Sequence, residues 1–237
     1  VNLVDGYVEG QKATLEPRLY DRFILNKWVS TVKGRAYPYY DADAHCKPRP
    51  FDRSVPVAVF CDFNTTPAIW LIGQDTDAHT HIEDEIKLNN TTIWEMCAEA
   101  KRRLEVYIGE GKARSHRVVF YGDYQHGVGR GLNATATSWK IVEEQFIGWD
   151  AEFRRKPNPR IRDRVNATNC RMRSADGKVR YSHSDKCIEL KKDHLVVTED
   201  LLRNIAGQGE RTHACCALDY GMNYQHGLGP KQSMRAI

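Results

Sequence analysis

Asp62 and Asp123 are the residues of this 237-residue sequence whose type and placement most directly suggest chemistry. Each closes a short apolar run, VAVFC before Asp62 and VVFYG before Asp123. Two carboxylates at strand ends can hold hard divalent cations such as Mg²⁺ or Mn²⁺, which prefer oxygen ligands. Two such ions about 4 Å apart activate a water and stabilise the leaving oxygen in phosphodiester hydrolysis. That chemistry needs one bridging carboxylate and further ligands beside it. Asp62, on the more central run, is the natural bridge, and Asp123 the second ligand. Asp219, Glu95 and Glu99 are candidates for a third. Glu95 also reads as an acidic residue in the first turn of a helix. A single Asp after a strand is ordinary turn chemistry, so the pair matters only if the fold brings the two strands together.

The surrounding pattern gives a reason for that meeting. Val57–Cys61 is short, apolar and β-branched, as a buried central strand should be. Ala68–Gly73 and His81–Leu88 read as the next two strands of an antiparallel meander, the latter with Ile82, Ile86 and Leu88 on one face. A helix from Ile93 to about Ile108, capped by Thr91 or Thr92, then crosses over to Val118–Tyr121. A strand reached by such a crossover can lie parallel to the first, and open α/β sheets place ligands at the carboxyl ends of their strands. Further on, the sequence predicts a helix from 136 or 138 to 146, a strand at Glu152–Arg155 and a helix over Ile161–Asn169. A hairpin is expected around Ala175-Asp176-Gly177, then a helix carrying Cys187, Ile188 and Leu190, and a last helix from about Glu210 to Asn223. The echo of YQHGVG at 124–129 in YQHGLG at 224–229 has unmatched flanks and reads as coincidence. Residues 1–50 read as a peripheral arm, with a helix over Leu19–Val32 that puts Phe23, Ile24, Trp28 and Val29 roughly on one face.

The formal net charge of +4 is compatible with a polyanionic partner and does not require one. Its distribution is more telling. Arg154, Arg155, Lys156, Arg160, Arg162, Arg164, Arg171, Arg173, Lys178 and Arg180 face only Asp163 and Asp176 within the same stretch. Such a segment is either a solvated basic face or a surface that follows a phosphate backbone. Seven Cys without a C-x-x-C pair and without a secretory leader at VNLVDGYVEG read as reduced thiols of a cytosolic chain. A zinc site from His213, Cys215 and Cys216 is a minor alternative. No stretch approaches the roughly 20 apolar residues of a membrane span.

Four segments together resemble a known family. VAVFCDFNTTPAIWLIGQ, VVFYGDYQHG, NPRIRDRVNATNCRMRSADGKVRY and THACCALDYGMNY, in this order and spacing, are similar to the C-terminal nuclease domain of the tailed-bacteriophage large terminase subunit. The resemblance implies an α/β RNase H-like fold over residues 51–237, a mixed central sheet flanked by helices. It implies a two-metal (Mg²⁺ or Mn²⁺) endonuclease that cuts concatemeric viral DNA during packaging, in the host cytoplasm. Residues 1–50 would then lead out of an ATPase domain; no G-x-x-x-x-G-K-[ST] loop occurs here. Double-stranded DNA, that ATPase domain, the small terminase subunit and the portal protein are the implied partners. Asp62 and Asp123 match the family's first-strand and fourth-strand carboxylates. The family's last-helix pattern is H-x-x-D-A-L, and here His213 is followed by Cys216 where the Asp is expected. A thiol suits Mg²⁺ or Mn²⁺ poorly. Asp219, roughly one turn on, is the candidate to take over; the alternatives are an introduced substitution at Cys216 and a second ion held only weakly. His213 reads as ligand, proton carrier or packing residue. The basic segment reads as DNA-backbone contacts that position a duplex without reading its sequence. A Holliday-junction resolvase of the same fold and a non-catalytic DNA-binding or motor-assembly module are the rival functions.

Overall fold

The computed structural model describes residues 6–26, 34–64, 66–128, 136–203 and 211–228. Three helices precede the sheet: α1 (Tyr7–Thr14), α2 (Pro17–Phe23) and α3 (Ala42–His45). The expected helix over Leu19–Val32 is present up to Phe23; Trp28 and Val29 lie outside the described residues. Glu16 caps α2 by accepting from the N–H groups of Arg18 and Leu19, and Pro17 follows at the first helical position, where its missing N–H costs nothing.

The sheet begins with β1 (Val57–Cys61), whose five residues are all buried. β2 (Ala68–Asp75) and β3 (Thr80–Leu88) follow as an antiparallel meander. Helix α4 (Ile93–Ile108) starts with a capping box in which Thr92 and Glu95 satisfy each other's N–H groups. It leads to β4 (Val118–Gly122), which pairs parallel to β1 with Cys61 opposite Gly122. β5 (Ala151–Arg154) pairs parallel to β4, and β6 (Tyr181–His183) parallel to β3. The six-stranded order is β5-β4-β1-β2-β3-β6. This is the mixed α/β sheet that the sequence predicts.

Alternation along the strands divides the core into two layers. Val57, Val59, Trp70, Ile72 and Phe120 pack beneath α4 and α6 (Ser138–Gln145). Phe60, Leu71, Val119 and Tyr121 pack beneath α7 (Ile161–Met172), α8 (Ile188–Val196) and α10 (His213–His226). Between them in sequence lie α5 (Tyr124–Val128) and α9 (Glu199–Arg203).

Three expectations change. Ile82 and Ile86 do not share a face: a β-bulge at Glu83 inserts one residue in β3 opposite Ile72/Gly73 and reverses the alternation. Ile82 therefore joins the α10 layer and Ile86 the α4 layer. The hairpin expected over 172–181 is reduced to its turn. Gly177 takes the left-handed φ of +82° that the turn requires and donates to Ser174 O at 2.9 Å, while Met172 still belongs to α7. Part of the segment before residue 50 is core rather than periphery, since Ala36, Tyr37 and Tyr40 are buried with the α10 layer. Among the described residues no helix is long and apolar enough to cross a membrane.

Candidate active site

The alternation that buries Phe60 and Tyr121 against α10 carries over to the next residue on the same face of each strand, Asp62 and Asp123. Because Cys61 pairs with Gly122, the two Asp leave neighbouring strands at the same level, and Asp123 N–H donates to Cys61 O at 3.4 Å. Both are almost fully buried, at 3% and 2% exposure. Each reaches a different turn of α10. His213 Nδ1 lies 2.9 Å from Asp62 Oδ2, and the Tyr220 hydroxyl donates to Asp123 Oδ2 at 2.8 Å. Seven residues apart, these two partners are two helical turns from one another.

The start of α10 is fixed from outside. Asp193 of α8 accepts from the N–H groups of Ala214 and Cys215 at 3.1 and 3.2 Å, which satisfies two of the helix's free donors. That anchor holds His213 in place. Gly221 lets the helix approach the sheet, since a Cβ there would stand 2.2 Å from the Phe60 ring.

Asp62 is further held by Asn64, whose side-chain amide reaches Oδ1 at 3.0 Å and Oδ2 at 2.9 Å. Asp123 is surrounded more completely. Oδ1 accepts from Asn158 Nδ2 at 2.7 Å and from the His126 N–H at 3.0 Å; Oδ2 lies 2.6 Å from His126 Nδ1 besides Tyr220. Burial works against the charge on Asp123, but the hydrogen bonds from Asn158, His126 and Tyr220 outweigh it and hold the carboxyl below its ordinary value. Asn64, His126, Asn158 and Tyr220 were not singled out from the sequence. His126 was the most accessible of these, standing three residues after Asp123 and so within reach of it on one turn.

Cys216 lies between His213 and Tyr220 on α10, at i+3 and i−4 spacing. Arg164 of α7 donates to its Sγ at 3.3 Å and stacks 4.4 Å from the Tyr220 ring centre. Asp219 is placed apart from Asp62 and Asp123. It is fully buried, with Oδ2 accepting from Tyr37 at 2.8 Å and Oδ1 from Thr168 at 2.5 Å. Burial raises its carboxyl to about 6, against the lowering effect of Arg164 and of the two hydroxyls. Glu95 serves its helix cap, and Glu99 pairs with Arg102 and Arg103. The Cys215 thiol is buried and directed to Thr212 O, so it does not join Cys216. All seven cysteines are free. Among the described residues, no three His, Cys, Asp or Glu side chains are clustered to hold a metal ion. Asp62 with His213 and Asp123 with His126 form two separate carboxylate–imidazole pairs. The donor chemistry of the Asp pair still fits a hard cation: four carboxylate oxygens at the open carboxyl edge of parallel strands.

The basic segment separates into three groups. Arg155, Arg160 and Arg162 are exposed around Asn158, on the Asp123 side. Arg154 and Lys156 are half-buried there, Arg154 on Glu152 and Lys156 donating to Asn223 O at 3.2 Å. Arg164 and Arg171 are buried, and Arg171 clamps the β2–β3 turn through Thr76 O, Asp77 O and Thr80. Arg173, Lys178 and Arg180 lie past the far end of α7, where Arg180 donates to Ala13 O of α1. Two cavities of about 400 and 420 Å³ lie elsewhere, the first among α2, α7 and α9 and the second among α1, α7 and the end of α10. Neither includes Asp62 or Asp123, as expected if the edge serves a polymer rather than an enclosed small molecule.

The chain is similar in structure to the nuclease domain of the P22 large terminase, with a TM-score of 0.54 at 12% identity over 82% of this chain and 91% of that one. This is the RNase H-like fold of a large-terminase nuclease domain. The same nuclease-domain fold is found within the large terminase of a thermophilic bacteriophage, at a TM-score of 0.63 and 18% identity over 94% of this chain. The chain spans about half the length of that terminase, 52% of it. No protein-family model and no curated protein matches the sequence.

Proposed function

We propose that the chain is a metal-dependent DNA endonuclease acting at the Asp62–Asp123 edge. The observation that carries this reading is the parallel register of β1 and β4, with Cys61 opposite Gly122, which sets two buried carboxylates side by side on the α10 face. Asp62 and Asp123 would hold the divalent cations, Mg²⁺ or Mn²⁺. Cations there would neutralise a phosphate and make an attacking water more acidic. His213 and Asn64 orient Asp62; Asn158 and Tyr220 orient Asp123. Arg155, Arg160 and Arg162 flank this edge and would follow the phosphates of a duplex. Asp219, already engaged by Tyr37 and Thr168, supports the α7–α10 contact in this reading rather than supplying a third ligand. The biological substrate would be concatemeric viral DNA, cut in the host cytoplasm together with a packaging ATPase domain, a small terminase subunit and a portal.

A second reading, a non-catalytic DNA-binding module, is favoured by the saturated hydrogen bonding of Asp123 and by the thiol at Cys216. Plasmid degradation in Mn²⁺ separates the two. The native chain should cut, and Asp62→Ala and Asp123→Ala should each lose cutting while keeping the native melting behaviour. Undiminished cutting by both variants would sink the nuclease reading. DNA binding without any cleavage by the native chain would leave the binding-module reading.

A further inference from the structure

Asp123 leaves no lone pair free. A carboxylate offers about four acceptor positions, and Asp123 fills four: Asn158 Nδ2 and the His126 N–H on Oδ1, His126 Nδ1 and the Tyr220 hydroxyl on Oδ2. A cation that binds Asp123 must therefore take the place of one of them.

Three of the four donors are built in. The His126 N–H belongs to the backbone of α5. Asn158 is gripped at both ends, donating to Asp123 while its own side-chain carbonyl accepts from the Tyr124 N–H at 2.8 Å. Tyr220 sits in α10 with its ring covered by the Arg164 guanidinium. The His126 imidazole differs. Its side chain is 66% exposed, and it reaches Oδ2 from the solvent side. It is the partner that can leave without disturbing a buried contact.

We propose that the His126 imidazole occupies the coordination place on Asp123 Oδ2 that a divalent cation takes, so that the cation binds by displacing it. This rests on the nuclease reading above. His126 is then a specificity-setting residue of the cation site: it weakens every cation that binds there, and it keeps Asp123 ordered while none is present. The displaced ring turns outward, to the mouth of the edge.

The test is direct Mn²⁺ binding to the full chain, measured by the fall in the free-Mn²⁺ electron paramagnetic resonance signal, for the native protein, His126→Ala and Asp62→Asn. His126→Ala should bind Mn²⁺ about tenfold more tightly, the scale of one charge-assisted hydrogen bond removed from the competition. Its melting temperature without metal should stay near native, because the ring is largely exposed. A second measurement follows the ring itself. Mg²⁺ should raise the rate at which diethylpyrocarbonate modifies His126, read by peptide mass spectrometry. Weaker or unchanged Mn²⁺ binding by His126→Ala, or protection of His126 by Mg²⁺, overturns the proposal, since the imidazole would then be a ligand or a bystander. In that case the nuclease reading survives as long as Asp62→Asn loses Mn²⁺. If the native chain binds no Mn²⁺ at all, both fail.

Discussion

Tyr220 and Asp219 are adjacent on α10 and serve opposite sides of it. The Tyr220 hydroxyl donates to Asp123 at the open edge of the sheet, while the Asp219 carboxylate accepts from Tyr37 and Thr168 in the interior. A step of one residue turns a helix by about 100°, enough to assign one side chain to the candidate chemistry and its neighbour to the core.

Asp219→Asn should stabilise the chain at neutral pH. Burial raises this carboxyl to about 6, whereas an unfolded Asp titrates near 3.9. Between those values the folded chain holds more protons than the unfolded one. Stability is therefore greatest below about pH 4 and falls as the pH rises through 6. The asparagine escapes that loss. Urea denaturation from pH 4 to 7.5 should show the difference in favour of the variant widening by about 3 kcal/mol at most. A difference independent of pH would mean that Asp219 is ionised in the fold at little cost.

DNA binding should depend on where each basic residue lies rather than on the basic run as a whole. Arg160→Ala and Arg162→Ala, exposed beside Asn158, should each weaken binding to a duplex and lower the slope of affinity against salt by about one. The exposed Arg162–Asp163 pair at 3.8 Å offers little compensation. Arg173→Ala and Lys178→Ala, past the far end of α7, should leave affinity near native. Fluorescence anisotropy without divalent cations, across a salt series, measures both sets. Equal losses from the two sets would mean that the duplex runs along the whole of α7.

Gly221→Ala should cost about 1–3 kcal/mol, the range for overpacking a filled core. The new methyl would meet the ring of Phe60, which is fully buried and cannot give way. The strain falls on the contact between α10 and β1, so cleavage should decline with stability. Gly10→Ala on α1, where nothing lies within 4 Å of the added carbon, is the control and should be neutral or slightly stabilising. Thermal melts of the two variants decide the point, and a native-like Gly221→Ala would contradict the close approach.

The central frame was readable because its signals are local. β1, β2 and β4 are short apolar runs, and the Thr92–Glu95 box announces α4. The bulge at Glu83 was not readable, because one inserted residue leaves the apolar content of β3 unchanged while reversing its faces. The hairpin expected at 175–177 had a real turn signal, but Met172 and the residues before it are held as helix by packing against α10. At the site, Asp62 and Asp123 could be named from strand ends. Their supports mostly could not. Asp193 steadies α10 from 21 residues earlier, and Asn158 reaches Asp123 across 35. Asp219 looked like a ligand on spacing alone, since the partners that claim it, Tyr37 and Thr168, are distant in sequence.

Tyr37 has a practical bearing on how the molecule can be divided. It comes before residue 50, in a stretch without any of the strands, yet it is fully buried and supplies one of the two hydroxyls on Asp219. Tyr40 reaches His183 of β6 in the same way, at 2.8 Å. A chain begun at Phe51 would keep every group proposed to touch DNA or a cation. It would also leave a buried carboxylate short of one donor, and a hollow where two tyrosines had been. The smallest piece that can cut and the smallest piece that can fold therefore have different first residues.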